Sequence, residues 1–172
     1  MNTLETVVAV LAKLRDFGLE TALFGGWAEE ARGLRDPGPH SDIDLVIEAD
    51  NFQPVDGLFA SDNIWNEIVQ KRFHHKRAFV HTGTMVELCL VEQNRNRSVT
   101  HFWGDTEYVW LRPLTTTAFL GDHCVRAVTS ENLTTFRQSY KSHQPWRWQV
   151  PGSCVKPVLT DKPTNMAEPR TL

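Results

Sequence analysis

The chain has 172 residues, 41% of them hydrophobic and 23% charged, with a formal net charge of −3. That length suits one domain, or one domain with an extension, and the composition is that of a globular protein. The small negative charge speaks against a surface built for long nucleic acid, and no run approaches the ~18 apolar residues of a membrane span. A phosphate ligand needs only a local site, so nucleotides stay open. Glu5 and the periodic charges around it do not read as a signal peptide. Cys89, Cys124 and Cys154 form no CxxC pair, which argues against a disulfide framework or zinc site and fits reduced thiols in a cytoplasm.

Leu4, Val7, Val8, Leu11 and Leu14 recur at helical spacing, with Asn2 or Thr3 to cap the start and Gly18 to end it. "TALF" reads as a short buried strand leading into Gly25-Gly26. "WAEEARGLR" follows as a helix with acidic residues in its first turn, where the helix dipole favours them. "DPGPHS" is a loop by composition, and "IDLVIEA" a second strand. "NFQPVDGLFASDN" fits a short helix containing Phe52, Leu58 and Phe59. "RAFVHTGTMVELCLVEQ" gives the clearest hairpin signal, two β-rich runs around Thr82-Gly83. "EYVWL" and "HCVRAVT" read as strands, and Ser130 as the cap of a helix with Leu133, Phe136 and Tyr140 on its apolar stripe. Residues 142–172 hold five prolines and little periodicity, and are expected to form an irregular extension after a domain spanning 1–141.

Two features of this order carry chemistry. Alternate residues of a strand share a face, so Asp42 and Asp44 project together. Carboxylates held that close repel, and a divalent cation between them relieves the repulsion. Magnesium fits best, since it takes oxygen ligands and is completed by substrate phosphates. Gly25 and Gly26 lack side chains, so a phosphate can approach their backbone and the N–H groups of the helix that follows. Further on, Glu87 interrupts an otherwise apolar strand. Alternation places it with Met85, Cys89 and Val91, and a carboxylate there needs a partner.

Phe24 to Ile47 resembles the nucleotidyltransferase motif of the DNA polymerase beta superfamily, a Gly-Gly pair followed after a short spacer by Asp-x-Asp. The Gly-Gly-Trp form followed by His40-Ser41-Asp42-Ile43-Asp44 is most similar to aminoglycoside and lincosamide nucleotidyltransferases. The resemblance implies an α/β (α+β) nucleotidyltransferase fold, a mixed β-sheet with helices mainly on one face. It implies transfer of a nucleoside monophosphate from an NTP, ATP among them, to a hydroxyl of a small-molecule acceptor. It also implies two Mg²⁺ ions, with Asp42, Asp44 and Glu87 as catalytic and metal-binding residues. Glu87 would be the second metal's ligand, the general base, or both; many relatives carry aspartate there. Gly25, Gly26, Trp27, His40 and Ser41 would line the nucleotide.

The remaining polar residues have plainer readings. Trp27 can pack beneath the glycines, and His74-His75 read as a solvated segment; Lys71, Arg72, Lys76 and Arg77 would steer a triphosphate or simply form soluble surface. Glu29, Glu30 and Glu92 would attract a cationic acceptor or simply be exposed. Relatives commonly build the acceptor pocket with a helical second domain or a dimer partner. Only the Pro-rich extension occupies that position here, which leaves a homodimer, a different substrate or weak activity open. Two further readings are an antitoxin-type enzyme that adenylylates a partner protein, and a catalytically silent nucleotide-binding relative. The intact Asp42/Asp44 pair counts against the silent one.

Overall fold

The computed structural model describes residues 2–61, 64–102 and 106–140. Helix α1, Leu4–Asp16, buries Val7, Val10, Leu11 and Leu14, is N-capped by the Thr3 side chain, and is followed by Gly18 at φ +77°. Strand β1 (Thr21–Leu23) runs into α2 (Gly25–Ala31), then come β2 (Asp42–Glu48) and α3 (Gln53–Ser61). Next are β3 (Asn66–Glu67), a one-turn 3-10 helix at Val69–Lys71, β4 (Lys76–His81) and β5 (Thr84–Asn94). The chain continues with β6 (Arg97–Phe102), β7 (Thr106–Trp110), β8 (Thr115–Leu120), β9 (His123–Val128) and α4 (Ser130–Ser139). The Pro-rich extension expected over 142–172 lies outside the described residues, as does the final residue of the expected domain.

The strands join in the order β3-β4-β5-β2-β1-β9-β8, with β6 and β7 branching from the end of β5. β2 pairs with β5, and β1 with β9, in parallel; the other pairs are antiparallel, so the sheet is mixed. Registers set the two faces. Ile43, Leu45, Val86, Leu88 and Phe79 fall on one face, where Phe79 meets Phe59 of α3 and Trp65, and Trp65 meets Phe17 at the end of α1. This face therefore carries α1 and α3. Asp42, Asp44, Glu87, Cys89 and Lys76 fall on the other.

Beyond Val91, β5 leaves β2 and pairs through Glu92–Asn94 with β6, which carries β7. The ribbon brings Trp110 against Phe24 and stacks it on Phe136 of α4, ring centroids 5.4 Å apart. These aromatics wall one side of the second face. β6 carries no signal in the sequence because its buried residues include Ser98 and Thr100, both 0% exposed. Thr100 Oγ1 donates to Leu90 O at 2.7 Å and accepts from Trp110 Nε1 at 2.9 Å, so the polar atoms are satisfied inside.

Two expectations at helix starts are corrected. Thr129, with an extended backbone, is the N-cap of α4, and Ser130 is already helical. α2 begins at Gly25, so its first turn holds no acidic residue, and Glu29 and Glu30 come later. In α4 the fully buried Asn132 ties the helix to the preceding loop. Its side chain accepts from Leu111 N at 2.8 Å and donates to Leu111 O at 3.0 Å and Thr129 Oγ1 at 2.9 Å. Asn132→Ala leaves those groups without partners and is expected to lower stability by about 3 kcal/mol in urea denaturation. Among the described residues no helix is long and apolar enough to cross a membrane.

Candidate functional site

The turn between β1 and α2 sits directly on β2. Phe24 N donates to Asp44 O at 2.8 Å, which fixes the turn against the strand. Gly25 has φ +57°, and a Cβ added there would lie 2.3 Å from Asp44 Oδ2. A Cβ at Gly26 would lie 2.6 Å from His40 Nδ1. Each glycine is therefore required by an internal neighbour, Asp44 in one case and His40 in the other.

Trp27 and His40 support the turn from below. Both are buried, their rings lie 4.1 Å apart, and His40 Nε2 bonds Glu30 Oε2 at 3.0 Å. Their burial puts them under the turn and not at its surface. Gly25 and Gly26 are half-buried and Ser41 is exposed, with Ser41 Oγ donating to Asp42 Oδ1 at 3.1 Å.

Asp44 stands beside Glu87 across the parallel β2–β5 pair, and Asp42 beside Met85. The hairpin expected around Thr82-Gly83 forms and delivers Glu87 to this face. Burial pushes the Asp44 carboxyl up to about 7, reinforced by repulsion from Glu87 and Asp42 and opposed by Lys76 and Lys71. At Glu87 burial also pulls upward, but Lys76 and Lys71 outweigh it and hold the group below the usual carboxylate range. Lys76 Nζ donates to Glu87 Oε2 at 2.7 Å and Lys71 Nζ to Oε1.

The donor chemistry fits a magnesium ion on Asp42 and Asp44: two hard oxygen ligands on one face, with no countercharge bound to Asp44 among the described residues. Glu87 is different, because each of its oxygens already holds an ammonium. Among the described residues no group of three His, Cys, Asp or Glu side chains is ready-made for a metal ion.

The basic run between β3 and β4 is the main feature that the sequence misreads. His74 is exposed, but the four cations of the run are ion-paired rather than simply solvated. Lys71 and Lys76 hold Glu87, Arg77 clamps Asp56 through Nε–Oδ1 at 2.8 Å, and Arg72 bonds both Asp56 and Glu67. The alternation Lys76, Arg77 across two faces was the available signal, since it sends one cation toward Glu87 and the other toward α3. Of the three glutamates, Glu29 is ion-paired with Arg137, while Glu30 and Glu92 hydrogen-bond the rings of His40 and His74.

His75 is buried against Phe73 and Phe102 and is not solvated. Burial first, then Lys76 and His74, lowers its pKa from 6.5 to about 3, so the folded chain holds it neutral. The unfolded chain protonates it below about 6.5, and stability is lost as pH falls through that window, by about 1.4 kcal/mol per pH unit. Urea midpoints at pH 7.5 and 4.5 are expected to differ less for His75→Phe than for the wild type.

The mixed sheet, the Gly-Gly turn and the paired aspartates on β2 together make a nucleotidyltransferase fold. The solved structures most similar in shape include the lincosamide antibiotic adenylyltransferase LnuA with lincomycin bound, at TM-score 0.66 and 16% identity over 80% of this chain and 87% of that one. Another is ANT(2'')-Ia in complex with adenylyl-2''-tobramycin, at TM-score 0.58 and 14% identity over 83% of this chain and 80% of that one. No protein-family model and no curated protein matches the chain. At these identities the likeness is one of fold.

Proposed function

We propose that this protein is a metal-dependent nucleotidyltransferase that moves a nucleoside monophosphate from an NTP to a hydroxyl of a small acceptor, of lincosamide or aminoglycoside type. The observation that carries the reading is the contact of the two halves of the site. Asp44 Oδ2 fills the space where Gly25 would carry a Cβ, so a metal held by Asp42 and Asp44 would have bare backbone beside its ligand. The similarity to a lincosamide adenylyltransferase and to a protein holding an adenylylated tobramycin supports the acceptor class.

In this reading Asp42 and Asp44 hold the ion that, when bound, neutralises charge on the phosphates. Gly25 and Gly26 let the phosphates approach the main chain, and Ser41 orients Asp42 through its hydrogen bond. Glu87 takes the proton of the acceptor hydroxyl once a lysine has released one of its oxygens. Trp27 and His40 keep the turn in place from beneath.

The test is NTP binding and transfer with Mg²⁺, comparing the wild type with Asp42→Ala/Asp44→Ala. Mg²⁺-dependent NTP binding that the double variant loses is the expected result. A wild type that binds no NTP in the presence of Mg²⁺ overturns the reading. Binding without modification of any small hydroxylated acceptor redirects the search to a protein acceptor.

A further inference from the structure

Three carboxylates and two ammonium groups meet on one face of the sheet. Lys71 comes from the 3-10 helix and Lys76 from the first residue of β4, and they take the two oxygens of Glu87 separately. Lys71 Nζ also lies 3.5 Å from Met85 Sδ, on the strand residue paired with Asp42. Both lysines act electrostatically on Asp44 as well as on Glu87. Their positive charge thus reaches Asp44 as well as Glu87.

A second divalent cation bound by Glu87 would have to enter between two ammonium groups that already neutralise it. That is unfavourable by like-charge repulsion and by loss of two charge-assisted hydrogen bonds. The lysine side chains are 27% and 22% exposed, against 14% for Glu87, so they lie nearer to solvent than the carboxylate they hold. An anion bound beside Asp44 would feel both ammonium groups, which act on that residue. Lysine is a compact point charge on a flexible stem and binds phosphate without a fixed geometry.

We infer that Lys71 and Lys76 take the place of a second metal ion. The chain then loads one divalent cation, on Asp42 and Asp44, and meets the outer phosphates of its nucleotide with these two lysines. This rests on the reading of Asp42 and Asp44 as a metal–nucleotide site and revises the expectation of two ions. It also gives Glu87 one role. As the lysines turn toward phosphate, one oxygen of Glu87 is freed for a hydroxyl, while their charge stays beside the carboxylate and still disfavours a metal there.

The experiment uses the full chain and two probes. Mn²⁺ uptake is counted by electron paramagnetic resonance of the free ion, and inorganic triphosphate binding is measured by calorimetry at saturating Mg²⁺. The wild type is expected to take one Mn²⁺, and Lys71→Met/Lys76→Met to gain a second site at the uncovered Glu87. The same variant is expected to bind triphosphate at least about tenfold more weakly, with Lys71→Arg/Lys76→Arg recovering most of the loss. If the methionine variant does not fold around an unpaired Glu87, Lys71→Met/Lys76→Met/Glu87→Gln removes that charge and keeps the triphosphate measurement. Two Mn²⁺ per wild-type chain, or triphosphate affinity unchanged without the lysines, overturns the inference. Mn²⁺ uptake that survives Asp42→Asn/Asp44→Asn overturns the underlying metal site instead, whatever the lysine variants show.

Discussion

Asp44→Asn is expected to reduce nucleotidyl transfer by more than about 10³-fold, while making the metal-free chain more stable than the wild type. On the proposed reading, the first effect follows from losing a ligand of an ion that would contribute several kcal/mol to the transition state, each 1.4 kcal/mol being about tenfold in rate. The second follows from the surroundings of Asp44, which is enclosed beside Glu87 and Asp42 and has neither lysine bonded to it. Its carboxyl is raised from 3.8 to about 7, so ionisation opposes folding. Wild-type Asp44 therefore weakens the metal-free fold increasingly as pH rises from about 4, and fully above 7. The gain from asparagine is expected to be largest at pH 8 and to vanish near pH 4, read as the difference in urea midpoints. Saturating Mg²⁺ with nucleotide should reverse the order at pH 8, because only the wild type gains binding energy. Loss of stability in the metal-free variant at pH 8 would show that Asp44 has a partner in the folded chain.

Much of the site is legible in the sequence because its parts are local. Gly25-Gly26, Asp42-Ile43-Asp44 and the turn at Thr82-Gly83 each declare themselves within a few residues, and strand alternation alone puts the two aspartates on one face. Glu87 is also found by alternation, as a charge in an apolar strand. What surrounds it is not found. Its lysines come from positions 71 and 76, and only the β4–β5 register, with Lys76 opposite Cys89 and Ala78 opposite Glu87, turns a charge run into a clamp. The same limit explains Glu29 with Arg137, whose partners are 108 residues apart. It also explains β6, where threonine and serine are satisfied by hydrogen bonds that no linear pattern reveals.

The glycine pair changes meaning once the neighbours are known. Bare backbone for an approaching phosphate was one reason for glycine at both positions. The fold supplies a prior one, since Asp44 and His40 already occupy the room a methyl would need. These demands are compatible, and they make Asp44, the proposed metal ligand, and the turn a single packed unit. A change at the turn therefore moves the aspartate as well.

Gly25→Ala tests that coupling with the second largest effect. Its methyl would meet Asp44 Oδ2 at 2.3 Å, which is closer than any real contact, and the backbone at φ +57° favours glycine. The left-handed conformation costs about 1–2 kcal/mol for an L residue, and relief of the clash must come from Asp44 swinging off the face it shares with Asp42. A displacement of about 1 Å at a reacting centre lowers a rate on the order of 10²-fold, and that is the loss expected for transfer by Gly25→Ala. Mn²⁺ affinity should fall with it, since the displaced group is the ligand. Gly26→Ala is the matched comparison, because its methyl meets the His40 ring and not a carboxylate. It should cost stability through the Trp27–His40 stack and leave Mn²⁺ affinity closer to that of the wild type. Equal loss of Mn²⁺ affinity in both variants would mean that the turn acts as a whole and that Gly25 has no particular link to Asp44.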